Sequence, residues 1–144
     1  MAVLGIDFGS RRIGLAISDP AGRVALPAGT LESRGRAADL AAIRSIALSR
    51  GVRRVVVGLP LHMDGRAGKE AQAARAFADA LARELGLPVE TLDERWTTRE
   101  AERTLRETGG SGRRKRRGAV DTLAATLLLR TFLERLERTE PGAP

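Results

Sequence analysis

The chain contains no cysteine, so a disulfide framework, a thiolate zinc site and a cysteine nucleophile are all excluded. Aromatic residues are almost as scarce. Phe8, Phe77, Phe132 and Trp96 are the whole set, and the phenylalanines fall in apolar stripes, which leaves little material for stacking on nucleic-acid bases. There is one histidine, His62, too isolated in sequence to suggest a metal site and placed where a loop or substrate contact is the simpler role. No apolar run approaches the roughly 20 residues that a membrane helix needs. The N-terminal Met1-Ala2-Val3-Leu4-Gly5-Ile6-Asp7 lacks a basic region and reaches an acid early, so it reads as a strand and not as a signal peptide. A soluble, cytoplasmic protein with no membrane partner is the expectation.

What is present is a chain of 144 residues, 42% hydrophobic and 30% charged, a size and balance that suit one globular core. The expected organisation is a single domain over residues 1–138 and a flexible tail over 139–144. Twenty-five Lys and Arg residues against 18 Asp and Glu give a net charge of +7. Most of the positive charge is arginine, whose planar fork suits phosphate, so a polyanionic partner follows if the charge is grouped.

Val3 to Phe8 reads as a strand, and Arg12 to Ser18 as its antiparallel return, with Ile13, Leu15 and Ile17 alternating. Val24 to Thr30 makes a third strand that Pro27 and Gly29 push towards an edge. Helical spacing then appears from Ala37 to Arg50. Arg54 to Leu59 is uniformly apolar at Val55-Val56-Val57 and is expected to be a central, buried strand. A second helix runs from Lys69 to Leu85 with Gly86 as its stop, and Pro88 to Leu92 forms a fifth strand. Thr97 and Glu100 have capping-box spacing for a helix lasting to about Glu107. The run Arg113-Arg114-Lys115-Arg116-Arg117 is expected as a basic loop ahead of a final helix from Ala119 to about Glu137. The fold class is therefore α/β, a mixed five-stranded sheet with three antiparallel strands followed by parallel ones, flanked by helices on both faces.

Three acidic positions are out of place for such a fold. Asp7 shares a strand face with Val3 and Gly5, beneath an expected helix layer; it either caps the Gly9-Ser10 turn or meets a cation. Asp121 heads an apolar helical stripe through Ala125, Leu128 and Phe132, where a carboxylate needs the helix dipole, a partner or a metal. Asp93 and Glu94 end the fifth strand, and only one of them can face Asp7. Sites in open α/β sheets form beyond the carboxyl ends of parallel strands, where these acids could converge. An all-oxygen carboxylate set suits Mg²⁺ or Mn²⁺, and two such ions can drive phosphodiester hydrolysis.

Four segments carry a resemblance: Gly5-Ile6-Asp7-Phe8-Gly9-Ser10-Arg11-Arg12-Ile13-Gly14-Leu15-Ala16, Val57-Gly58-Leu59-Pro60, Asp93-Glu94-Arg95 and Ala119-Val120-Asp121-Thr122-Leu123-Ala124-Ala125. In this order they resemble the YqgF/RuvX family of Holliday junction resolvases and pre-16S rRNA nucleases, over nearly the whole chain. The resemblance implies a ribonuclease-H-like fold and a metal-dependent endonuclease acting on structured RNA, at the 5′ end of pre-16S rRNA, or on four-way DNA junctions. It implies a catalytic and metal-binding triad of Asp7, Glu94 and Asp121, with Asp93 the alternate to Glu94, and Mg²⁺ or Mn²⁺ as cofactor.

Nucleic-acid contacts are expected from Arg11, Arg12, Lys69, Arg95 and the run Arg113, Arg114, Lys115, Arg116 and Arg117, which immediately precedes Asp121. Lys69 opens a helix after a glycine-containing loop, a place for an anion, but the spacing is not that of a Walker loop. A non-catalytic RNA-binding ribosome-assembly factor is the alternative function. A sugar-kinase-like ATP binder shares the Asp7-Phe8-Gly9-Ser10 pattern but needs two such domains. A homodimer would let two sites address two strands of a junction.

Overall fold

The computed structural model describes residues 1–96 and 113–139. Strands β1 (Ala2–Phe8), β2 (Arg12–Ser18) and β3 (Ala25–Glu32) precede helix α1 (Arg36–Ser49) and strand β4 (Val52–Leu59). Helix α2 (Lys69–Leu85), strand β5 (Val89–Asp93) and a 3₁₀ turn (Glu94–Trp96) follow, and the last described element is helix α3 (Arg113–Thr139). The five strands form one sheet in the order β3-β2-β1-β4-β5. β1, β2 and β3 pair antiparallel, whereas β4 pairs parallel to β1 and to β5.

Local chemistry sets the connections. Asp19 closes the β2–β3 turn by accepting from the amides of Arg23 (2.7 Å) and Val24 (2.9 Å). α2 stops at Gly86, whose φ of 65° is left-handed and whose amide donates to the Ala82 carbonyl at 2.9 Å. The edge position of β3 accords with its proline and glycine; its pairing with β2 shifts register between Leu15 and Ala16, opposite Gly29 and Pro27.

Alternation along the strands divides the core in two. Leu4, Ile6, Ile13, Leu15, Val55 and Val57 pack against Ile43 and Ala47 of α1 and against Ala74, Phe77 and Leu81 of α2. On the opposite face Val3, Ala16, Val56 and Leu92 meet Ala125, Leu128, Leu129, Phe132 and Leu133 of α3. Burying each large apolar side chain stabilises the fold by roughly 1.5–3 kcal/mol. α3 lies close to the sheet because Gly5 has no side chain: a Cβ there would stand 2.9 Å from Leu129 Cβ and 3.2 Å from the Ala125 carbonyl oxygen. The Thr122 hydroxyl donates to the Leu15 carbonyl at 3.0 Å and accepts from the Gly29 amide at 3.3 Å, which fixes the helix along β2 and β3.

Three expectations need correction. β4 is buried as expected, but β1 is the middle strand, because the β1–β2–β3 meander extends the sheet on one side while β4 and β5 extend it on the other. The basic run Arg113 to Arg117 is not a loop: α3 begins at Arg113 and continues through Gly118. Arginine and lysine are good helix formers, and one interior glycine costs only about 1 kcal/mol against alanine, too little to break a long packed helix. α3 also runs to Thr139, so residue 139 belongs to the helix and not to a tail. The helix expected over 97–107 and the tail beyond residue 139 lie outside the described residues.

Candidate active site

Asp7 is the next-to-last residue of β1, and its cross-strand neighbours decide what surrounds it. On β2 its register partner is Gly14. On β4 the parallel ladder sets Gly5 beside Val56 and Ile6 beside Val57, which brings Asp7 level with Gly58. Both neighbours therefore lack side chains, and each gap is filled by an acid. Glu94, in the turn after β5, lies over Gly58: a Cβ on that glycine would overlap the Glu94 carboxyl oxygen and stand 2.8 Å from Cδ. The backbone of Asp121 lies over Gly14, where an added Cβ would overlap the Asp121 carbonyl and approach its Cβ to 3.1 Å. On the opposite face of β1, Phe8 stacks on Phe77 of α2 with ring centroids 4.4 Å apart, which anchors the end of the strand.

The three acids differ in their electrostatics. Burial pushes the Glu94 carboxyl up to about 9, reinforced by its hydrogen bond to Asp7 and by the charges of Asp7 and Asp93. These causes favour the protonated form of Glu94 beside Asp7. The Asp121 carboxyl is also raised, first by burial and further by Asp7, against the opposing pull of Arg12. Arg12 Nε donates to Asp121 Oδ2 at 2.9 Å. Asp93 turns away from this group. It takes the Arg95 guanidinium at 2.6 Å and the Arg95 amide at 3.0 Å, and the arginine holds its carboxyl below the usual range.

Arg95 also donates from Nη1 to the Met63 carbonyl at 3.2 Å, tying the end of β5 to the loop after β4. That loop is braced internally by the His62 amide on the Arg66 carbonyl (2.9 Å), the Gly65 amide on the His62 carbonyl (2.8 Å) and the Arg66–Asp64 ion pair (2.7 Å). Met63, at its tip, is 80% exposed.

The donor chemistry fits a hard divalent cation. A cation would offset the burial and the neighbouring negative charge that raise Glu94, and every donor is oxygen. Among the described residues, no group of three metal-binding side chains stands close enough to hold an ion as it is. The Asp121 carboxylate is engaged by Arg12.

Comparison with known proteins bears on the same elements. Residues 1–135 match the family described as RuvX, Holliday junction resolvase. The chain belongs to the RuvX family. A relative from Koribacter versatilis (strain Ellin345) is 48% identical over 141 residues, spanning 96% of this chain and 92% of its own. One from Moorella thermoacetica is 47% identical over 136 residues, spanning 94% and 96%. Both are named as candidate pre-16S rRNA nucleases. Among solved structures, Thermus thermophilus RuvC in complex with a Holliday junction substrate superposes with a TM-score of 0.62 at 18% identity, over 94% of this chain and 96% of that one. The fowlpox virus Holliday junction resolvase superposes with a TM-score of 0.58 at 12% identity, over 94% and 99%. These likenesses establish the ribonuclease-H-like, resolvase-type fold. Membership of this nuclease family implies divalent-metal dependence and a nucleic-acid partner.

In this RuvX-family chain the structure brings Asp7 and Glu94 into hydrogen-bonding contact, sets Asp121 beside them on α3 and leaves Asp93 outside the group. Of the basic residues, Arg11 is exposed at the β1–β2 turn and Lys69 is exposed at the first position of α2. Arg12 and Arg95 are engaged in ion pairs. Arg113 to Arg117 occupy the first turns of α3, with side chains outside the description.

Sequence reasoning missed the part played by Gly14 and Gly58. The available signal was their place inside strands that otherwise favour branched residues, where glycine marks a close approach; naming what approaches required the strand register.

Proposed function

We propose that Asp7, Glu94 and Asp121 bind Mg²⁺ or Mn²⁺ and hydrolyse phosphodiester bonds in structured RNA, with the 5′ end of pre-16S rRNA as substrate. The observation that carries this reading is the Glu94–Asp7 hydrogen bond over Gly58, a pair of half-buried acids placed at the carboxyl ends of β1 and β5. When bound, the ions would activate the attacking water and stabilise the leaving oxygen.

The protein's own residues supply the frame. Gly58 and Gly14 allow the acids to stand at van der Waals distance from the sheet, and Arg95 withdraws Asp93 from competition. Arg11, Arg12, Lys69, Arg95 and Arg113 to Arg117 would receive the phosphate backbone, the last group at the helix terminus that leads into Asp121. With few aromatic residues, recognition rests on shape and phosphate.

RNA is favoured over branched DNA because relatives near half identity are named for rRNA, whereas the resolvases share the fold at under one-fifth identity. Action in the cytoplasm fits that substrate, and among the described residues no helix is long and apolar enough to cross a membrane. A homodimer would present two sites to a branched substrate.

The test is a cleavage panel of four-way junctions, duplexes, flaps and pre-16S-like stem-loops with Mn²⁺, comparing wild type with Asp121→Asn. A preference of about tenfold or more for the RNA, lost in the variant, is the expected outcome; a tenfold ratio is about 1.4 kcal/mol of discrimination. A matching preference for junctions would reassign the substrate. Tight RNA binding without carboxylate-dependent metal uptake would leave a non-catalytic RNA-binding factor.

A further inference from the structure

We propose that Arg12 couples substrate arrival to completion of the carboxylate site: its guanidinium holds Asp121 until a phosphodiester oxygen replaces that carboxylate as its partner. This rests on Asp121 belonging to the metal site proposed above.

Both partners are fixed at their roots and free at their tips. Arg12 is the first residue of β2, two positions before Gly14, and Gly14 is where the Asp121 backbone rests on the sheet. The pairing at 2.9 Å therefore joins two residues whose main chains cannot drift apart. The side chains are 30% and 24% exposed, within reach of a ligand from solvent. Among the described residues the Arg12 side chain bonds through Nε alone, and its terminal nitrogens carry the fork that phosphate oxygens match.

A guanidinium and a divalent cation compete for the same carboxylate oxygens. While Arg12 holds Asp121, the Asp7–Glu94 pair has no third metal-binding side chain grouped with it among the described residues. A part-exposed ion pair of this kind shifts an equilibrium by only about fivefold or less, so an incoming phosphate can displace it. The adjacent Arg11 supports such delivery: its side chain is exposed, and its carbonyl accepts from the Ser33 amide at 2.9 Å, which ties the β1–β2 turn to the chain leaving β3. Phosphate binding at Arg12 would thus release Asp121 towards the metal position, and metal binding at Asp121 would release Arg12 towards phosphate. Such coupling is reciprocal.

Two measurements test this, each without cleavage as the readout. In metal-free buffer, Asp121→Asn is expected to tighten binding of an RNA stem-loop on the order of fivefold, and the gain should vanish in an Arg12→Gln background. A gain of equal size in both backgrounds would reflect only a lost negative charge and would overturn the proposal. In calorimetric Mn²⁺ titration of the nucleic-acid-free protein, Arg12→Gln is expected to bind several-fold tighter than wild type and Arg12→Lys to fall between them; unchanged or weaker binding overturns it. The lysine variant keeps the charge and guards against misreading a loss of fold. If Mn²⁺ uptake is insensitive to Asp7→Asn, the metal-site reading fails, and the metal-free RNA cycle still judges Arg12 by itself.

Discussion

The two faces of the sheet are built from the same strands, yet they are filled in opposite ways. The face under α1 and α2 receives Leu4, Ile6, Ile13, Leu15, Val55, Val57 and, from α2, Phe77, all apolar and buried. The face under α3 carries Val3, Ala16 and Val56 but also Gly5, Gly14 and Gly58, and its upper end belongs to Asp7, Glu94 and Asp121. One face is a filled core whose job is stability. The other gives up side-chain volume at three positions, so that a helix and two acids can approach the backbone. Partly burying acids on such a face costs free energy that packing does not return, which is what the site proposed above accounts for.

The largest effect should come from the acid at the centre of the functional face. Asp7→Asn is expected to lower Mn²⁺-dependent cleavage by about 10³-fold or more, as loss of a metal ligand removes stabilisation of the reacting oxygens. RNA affinity measured in metal-free buffer should be retained, and an undiminished rate would remove Asp7 from the site.

The filled face should respond in the opposite sense. Phe77→Ala is expected to cost about 3–5 kcal/mol of stability by leaving a cavity beneath Phe8. The specific activity of the molecules that remain folded should stay close to wild type. Equal losses of activity and stability would show that the two faces are not separable.

Gly58→Ala tests the spacing itself. The added methyl overlaps the Glu94 carboxyl group, so cleavage should fall on the order of tenfold to a hundredfold while stability falls by only about 1–3 kcal/mol. A variant with full activity would mean that the Glu94 position is not needed.

The last test is a pH dependence. In the metal-free protein the folded-state pKa of Glu94 is raised to about 9, so folding takes up a proton. The stability associated with this group is fully present below the ordinary glutamate range and is lost as pH rises towards 9. Urea midpoints in EDTA should show Glu94→Gln gaining on wild type between pH 5 and pH 8. A constant difference across that interval would contradict the raised Glu94 carboxyl.

Much of this was legible before any coordinates. Strand alternation assigned Asp7 to the face of Val3 and Gly5, and helical spacing placed Asp121 at the head of the stripe through Ala125, Leu128 and Phe132, as the second core shows. The start of α3 was misplaced because Gly112 and Gly118 bracket the basic run, and a glycine reads locally as a stop even where a long packed helix carries through it. The strand pattern left Asp93 and Glu94 open, and the resemblance put Glu94 first with Asp93 the alternate: neighbouring acids at a strand end differ only in the direction the backbone takes, and that is set by the turn Glu94–Trp96 and by Arg95.

By itself the sequence determined the elements, their mixed order and the acids that do not belong in a core, because periodicity and the cost of burying charge are local and can be read along one chain. Only the tertiary structure decided that β1 lies in the middle, that Gly14 and Gly58 flank Asp7, that Glu94 is hydrogen-bonded to Asp7, and that Arg12 holds Asp121. Those are pairings across strands distant in sequence, and register, not composition, fixes which side chains meet.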